Sequence, residues 1–157
     1  MSNTAIHRLL KGISVNDLSI IFPKIKCLKI SGNLDLCGTY IKKLPNGLTV
    51  GGSLNLWDSN ITELPKNLTV KGNLNLSGTK FTELPEGLTV KGKLDLRRTP
   101  ITKLPEGLTV GGSLDLSESN ITELPKNLTI GGNLDLRRTP ITKLPEGLTV
   151  GGKIKRF

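Results

Sequence analysis

The sequence predicts a mainly β repeat solenoid, a stack of six 20-residue coils with short strands and an N-terminal helical cap. Three observations predict it. A 20-residue unit recurs without a gap from residue 31 to residue 150, and self-similarity at a fixed short period is the signature of stacked repeats. The Leu-x-Leu run inside each unit alternates apolar and polar residues, as a half-buried strand does. Aromatic residues make up only 3% of the 157 residues. The core must therefore come from Leu, Ile and Val, which thin layers stacked on one another can bury.

Residues 1–30 fall outside the repeat and read as a cap over the open end of the core. Ala5 to Leu10 suits one or two helical turns, with Thr4 as N-cap and Gly12 as the stop. Ser14 followed by Asp17 is close to a capping box, and predicts a second helix that ends near Ile21, before Pro23. Ile6, Leu9, Leu10, Val15, Leu18 and Ile21 give these helices an apolar side. Phe22 to Ile30 reads as a degenerate half repeat.

The second region, residues 31–157, holds six full units, at 31–50, 51–70, 71–90, 91–110, 111–130 and 131–150, and a partial C-terminal strand. Each unit reads x-Gly-x-Leu-x-Leu-x-x-Thr/Ser-x-Ile-Thr-x-Leu-Pro-x-Gly/Asn-Leu-Thr-Val, with small departures. Gly or Asn at the seventeenth position predicts a positive φ before a second short strand, Leu-Thr-Val. Pro at the fifteenth removes a backbone donor, so that arc is not a central strand. Six columns are expected to form the core: Leu34 to Leu134, Leu36 to Leu136, Ile41 to Ile141 (with Phe81 in one layer), Leu44 to Leu144, Leu48 to Leu148 and Val50 to Val150.

The run Leu-x-Leu-x-x-Thr/Ser-x-Ile-x-x-Leu-Pro resembles a leucine-rich repeat. At twenty residues it is similar to the short repeats of type III effectors of enteric bacteria, over residues 31–150. The resemblance implies a right-handed stack and a binding scaffold that brings no catalytic residues and no cofactor. Two departures carry further expectations. Thr or Ser replaces the usual Asn at the ninth position (Thr39, Ser59, Thr79, Thr99, Ser119, Thr139), so stacked hydroxyls take the place of an asparagine ladder. Gly-Leu-Thr-Val-x-Gly replaces the second Leu-Pro and implies an additional short strand per coil. A squarer β-helix, resembling pentapeptide-repeat proteins, is the alternative cross-section.

Charges support an in-register stack. Residue i then lies about 4.8 Å from residue i+20, and opposite charges alternate at that spacing in three columns: Arg98, Glu118, Arg138; Lys103, Glu123, Lys143; and Glu106, Lys126, Glu146. This leaves Asp95, Arg97, Asp115, Asp135 and Arg137 unpaired on the outward face of Leu-x-Leu. Like charges stacked in Asp95, Asp115 and Asp135 should repel, although Arg97 and Arg137 are same-face neighbours of Asp95 and Asp135. Trp57, the only Trp, shares the face. Trp and Arg are enriched in interface hot spots. The candidate partner-binding residues are therefore Trp57, Asp95, Arg97, Asp115, Asp135 and Arg137.

The function this implies is non-catalytic protein binding. A phage or injected bacterial protein that binds and inhibits a host protein suits the design. No catalytic constellation is evident, and no metal site, since His7 is the only His and Cys27 and Cys37 lack ligand spacing. The net charge of +9 makes nucleic-acid binding the alternative, through the basic ends and Lys71, Lys91, Lys93 and Arg97. Most of the excess lies at the two ends: +4 in residues 1–30 and +3 in residues 151–157, against +2 in all six units. No membrane span is expected, and the N-terminus lacks a secretory h-region, so the cytoplasm of a bacterial cell, or of a host cell after injection, is the expected location. The strand in 151–157 is a poor cap, which predicts end-to-end homodimerisation through it.

Overall fold

The computed structural model describes residues 28–156, so the predicted helical cap lies outside the described residues. Those residues form a parallel β-solenoid with two seven-stranded sheets and no helix. The first sheet holds β1 (Lys29–Ile30), β3 (Thr49–Val50), β5 (Thr69–Val70), β7 (Thr89–Val90), β9 (Thr109–Val110), β11 (Thr129–Ile130) and β13 (Thr149–Val150). The second holds β2 (Leu34–Asp35), β4 (Leu54–Asn55), β6 (Leu74–Asn75), β8 (Leu94–Asp95), β10 (Leu114–Asp115), β12 (Leu134–Asp135) and β14 (Ile154–Lys155). Every pairing is parallel, and residue i always faces residue i+20. The additional strand per coil is therefore present.

The corner between the sheets explains the second-position glycine, which is Gly in all six units and again at Gly152. Its N–H bonds the carbonyl of the glycine one coil below, as in Gly92 N–H to Gly72 O (3.0 Å) and Gly112 N–H to Gly92 O (3.0 Å). A Cβ on Gly112 would stand 2.7 Å from the Gly92 carbonyl carbon and 2.8 Å from the Lys93 nitrogen. At the third position the side-chain oxygen caps the next coil. Ser53 N–H donates to Asn33 Oδ1, Asn73 N–H to Ser53 Oγ, Lys93 N–H to Asn73 Oδ1, Asn133 N–H to Ser113 Oγ and Lys153 N–H to Asn133 Oδ1, all at 2.7–3.0 Å. Lys93, which has no acceptor, interrupts this ladder.

The ladder is not where the resemblance put it. The ninth-position hydroxyls do not bond from coil to coil. Each closes its own turn: Thr39, Thr79, Thr99, Ser119 and Thr139 donate to the carbonyl three residues earlier at 2.5–2.7 Å. The short hydroxyl reaches that carbonyl because the turn already brings the residue's own N–H to it, as in Thr79 N–H to Leu76 O at 3.3 Å and Ser119 N–H to Leu116 O at 3.1 Å. Ser59 differs, with a buried Oγ that has no partner. Replacing Ser59 with Ala should cost nothing measurable, whereas Thr79→Val should destabilise by about 1 kcal/mol. Urea denaturation of the two variants checks this contrast.

The six apolar columns are the core. They open at the last layer, where Leu144 is 36% exposed and Leu148 and Val150 are only partly buried, because no full coil covers them among the described residues. The seventeenth position has positive φ throughout, from Gly47 (69°) and Asn67 (59°) to Gly147 (70°). The eighth position does too, with Gly38, Asp58, Gly78, Arg98, Glu118 and Arg138 at 50–71°.

Candidate functional site

The fifth residue of each unit is always Asp or Asn. Its Oδ1 accepts the N–H two residues on in every coil: Asp35 from Cys37, Asn55 from Trp57, Asn75 from Ser77, Asp95 from Arg97, Asp115 from Ser117 and Asp135 from Arg137, at 3.1–3.2 Å. An Asx turn of this kind substitutes for a backbone turn. With the left-handed residue at position eight, it bends the chain out of the second sheet and fixes the backbone of the seventh residue beside it. The Asp column is thus part of the fold.

Its charges are also compensated. Asp95 and Asp135 are buried, at 5% and 7% exposure, so the expected outward, unpaired acids are neither. Arg97 folds back on Asp95 through Nε (2.9 Å) and Nη2 (2.9 Å). Arg137 does the same to Asp135 through Nε (2.9 Å) and Nη2 (2.7 Å). Lys93 bridges Asp95 (3.0 Å) and Asp115 (3.4 Å), and Arg97 Nε lies 3.6 Å from Asp115. The repulsion expected from three stacked acids is offset by cations interleaved with them.

These contacts set the titration. Burial pushes the Asp95 carboxyl up, but the hydrogen bonds from Arg97 and Lys93 outweigh it and hold it below the ordinary carboxylate range. Arg137 holds Asp135 down against a smaller effect of burial. A carboxyl depressed in the folded state stabilises above its unfolded pKa, near 4, and loses that contribution as pH falls through the folded value. Stability should therefore fall below about pH 4, and this acid-side slope should flatten in Arg97→Gln/Arg137→Gln. Urea midpoints at stepped pH measure it.

Of the three charge columns, one pairs fully. Glu118 bridges Arg98 (3.1 Å) and Arg138 (3.5 Å), and both arginines hold its carboxyl below the usual range, Arg98 chiefly. Lys103 meets Glu123 at 2.9 Å. No ion pair forms among the described residues between Glu123 and Lys143, or in the column of Glu106, Lys126 and Glu146. These side chains lie on the exposed long arc, where solvation competes with pairing. Lys43 with Glu63 is a further pair in the same column, three coils before Lys103 with Glu123.

The surface beside the second sheet carries an open groove of about 600 Å³. It brings together Trp57, Arg97, Asp115 and Arg137 of the predicted residues, and leaves out Asp95 and Asp135, which lie beneath the arginines. It adds Asp58, Ser77, Gly78, Arg98, Ser117, Glu118 and Arg138. Down the seventh position, exposed Trp57, Arg97 and Arg137 alternate with buried Ser77 and Ser117. The result is three ridges, each about 9.6 Å or two coils apart, and two slots floored by serines. This large–small rhythm was present in the sequence at a spacing of 20, and was the signal that would have separated ridges from floor.

Among the described residues no group of three or more His, Cys, Asp or Glu could hold a metal ion, and no helix is long and apolar enough to cross a membrane. No protein-family model, curated protein or solved structure matches this chain.

Proposed function

We propose that this chain is a non-catalytic protein-binding scaffold that takes its partner in the groove of Trp57, Arg97 and Arg137. The observation that carries the reading is the ridge-and-slot groove itself. Its large side chains are held by the fold: Asx turns fix their backbone, and Asp95 and Asp135 fix the guanidinium of each arginine. Side chains ordered before binding lose less entropy on binding. Trp57 is 52% exposed, and Trp and Arg are the side chains enriched at interface hot spots. Asp58, Asp115 and Glu118 line the same groove as the four arginines, and this mixed sign favours a protein over the phosphates of a nucleic acid. The reading is compatible with kinship to short leucine-rich repeats and with inhibition of a host protein in a cytoplasm.

Selection of a displayed random 12-residue peptide library on the wild-type chain, with counter-selection on Trp57→Ala/Arg97→Ala, tests it. Enrichment of peptides that bind the wild type and not the variant is expected. Enriched peptides that bind both equally would overturn it.

End-to-end pairing of two copies through β14 accompanies this reading. Ile154 (40%) and Leu144 (36%) are exposed there, and β13 and β14 have no strand on their outer edges among the described residues. Lys153, Lys155 and Arg156 set like charges against each other, so light scattering should show the dimer fraction rising with salt. A monomeric mass at every salt concentration would reject it.

A further inference from the structure

The groove reading can be taken to the chemistry of the occupant, and this inference rests on that reading. The molecule contains its own template. In the eighth-position column, Arg98 and Arg138 stand two coils apart and Glu118 between them bridges both. One column over, Arg97 and Arg137 stand two coils apart in the same way, but Ser117 lies between them and supplies no anion. The Ser117 hydroxyl is turned inward, donating to Asp115 Oδ1 at 2.7 Å. Arg97 and Arg137 use Nε and Nη2 on their own aspartates, Arg97 Nε also lies 3.6 Å from Asp115, and Nη1 of each has no protein acceptor among the described residues. We propose that a carboxylate side chain of a protein partner enters the slot over Ser117 and bridges Arg97 and Arg137, as Glu118 bridges Arg98 and Arg138.

The second slot fixes the partner's backbone. It lies over Ser77 and Gly78, between Trp57 and Arg97. Trp57 offers an apolar face there, which suits an aliphatic or prolyl side chain. The two slots are two coils apart, about 9.6 Å. A β-strand places same-face side chains about 6.6–6.8 Å apart, and a helix places them about 5.4 or 10.5 Å apart along its axis. A polyproline II segment repeats its face every three residues, at about 9.3 Å, and so matches best. The occupant is therefore a polyproline II segment lying along the solenoid axis, with an apolar residue and an acidic residue on one face, three positions apart.

Trp57 is the only Trp of the chain, so its fluorescence reports the groove directly. The probes are proline-rich nine-residue peptides with Leu and Glu separated by one, two or three residues, and a Leu-x-x-Gln control. Leu-x-x-Glu should bind at least tenfold more tightly than the other three. Ser117→Glu, which places the chain's own carboxylate in the slot, should weaken it at least tenfold, and Arg137→Gln should do the same if Ser117→Glu does not fold. Equal dissociation constants for all spacings and for Gln, or no Trp57 response to any peptide, would overturn the proposal. Library peptides that need Trp57 and Arg97 but lack this spacing would overturn it and leave the scaffold reading standing.

Discussion

Gly112→Ala is expected to lower the unfolding free energy by about 3 kcal/mol, at the upper end of the usual cost of overpacking, and the melting temperature by on the order of 10 °C. The added Cβ meets three backbone atoms of the coil below, Gly92 C at 2.7 Å, Lys93 N at 2.8 Å and Gly92 O at 2.9 Å. No side chain can rotate away to relieve these contacts. The coils must separate, and separation stretches the Gly112 to Gly92 hydrogen bond, now 3.0 Å. Lys91→Ala is the control. It keeps a Cβ at the neighbouring corner position and removes only an exposed chain, so its effect should stay within about 0.5 kcal/mol. Thermal unfolding followed by circular dichroism separates the two.

Phe81→Ala should cost about 3–5 kcal/mol. Phe81 is fully buried in the third coil, where the layers on either side carry Ile61 and Ile101, also fully buried. Truncation leaves a cavity between layers that contact little else. A repeat stack is stabilised chiefly by its nearest-neighbour interfaces, so the lesion should also divide the molecule. The coils before it, which carry Trp57, should lose their fluorescence signature at lower urea than the whole chain loses its circular dichroism. In the wild type the two transitions should coincide. Phe81→Ile, which copies the neighbouring layers, should cost about 1–2 kcal/mol and keep the transitions together.

The stack was legible because its signals are periodic. Leu34, Leu36, Ile41, Leu44, Leu48 and Val50 return every 20 residues, and a parallel in-register stack buries all six columns at once. The positive φ at Gly47 or Asn67 was legible because Gly and Asn are the residues that tolerate it. The same conformation at the eighth position was not, because Asp58, Arg98, Glu118 and Arg138 hold it there in four of six coils. Only Gly38 and Gly78 hinted at it. The third-position ladder was hidden in a place where Asn, Ser and Lys looked interchangeable. Asn and Ser share an acceptor oxygen there and Lys lacks one.

The lining of the groove was half legible. Trp57, Arg97, Asp115 and Arg137 do line one groove. Asp95 and Asp135 do not, because period-two alternation says which face a residue takes and not whether a neighbouring arginine folds over it. In all six full units that column holds Asp or Asn, a restriction that solvent exposure alone would not impose and that the Asx turn explains. Ser77 and Ser117 matter by being small, and a search for charged or aromatic residues passes over them.

The central claim is that binding takes place along the seventh-position ridges and not on the first sheet or at the end of the stack. Amide chemical-shift mapping of the labelled chain with a groove-selected peptide tests it most directly. The predicted shifts cluster at Trp57, Ser77, Arg97, Ser117 and Arg137 and their immediate neighbours. Shifts confined to the exposed threonines of β7, β9 and β11, or to β14, would contradict the account.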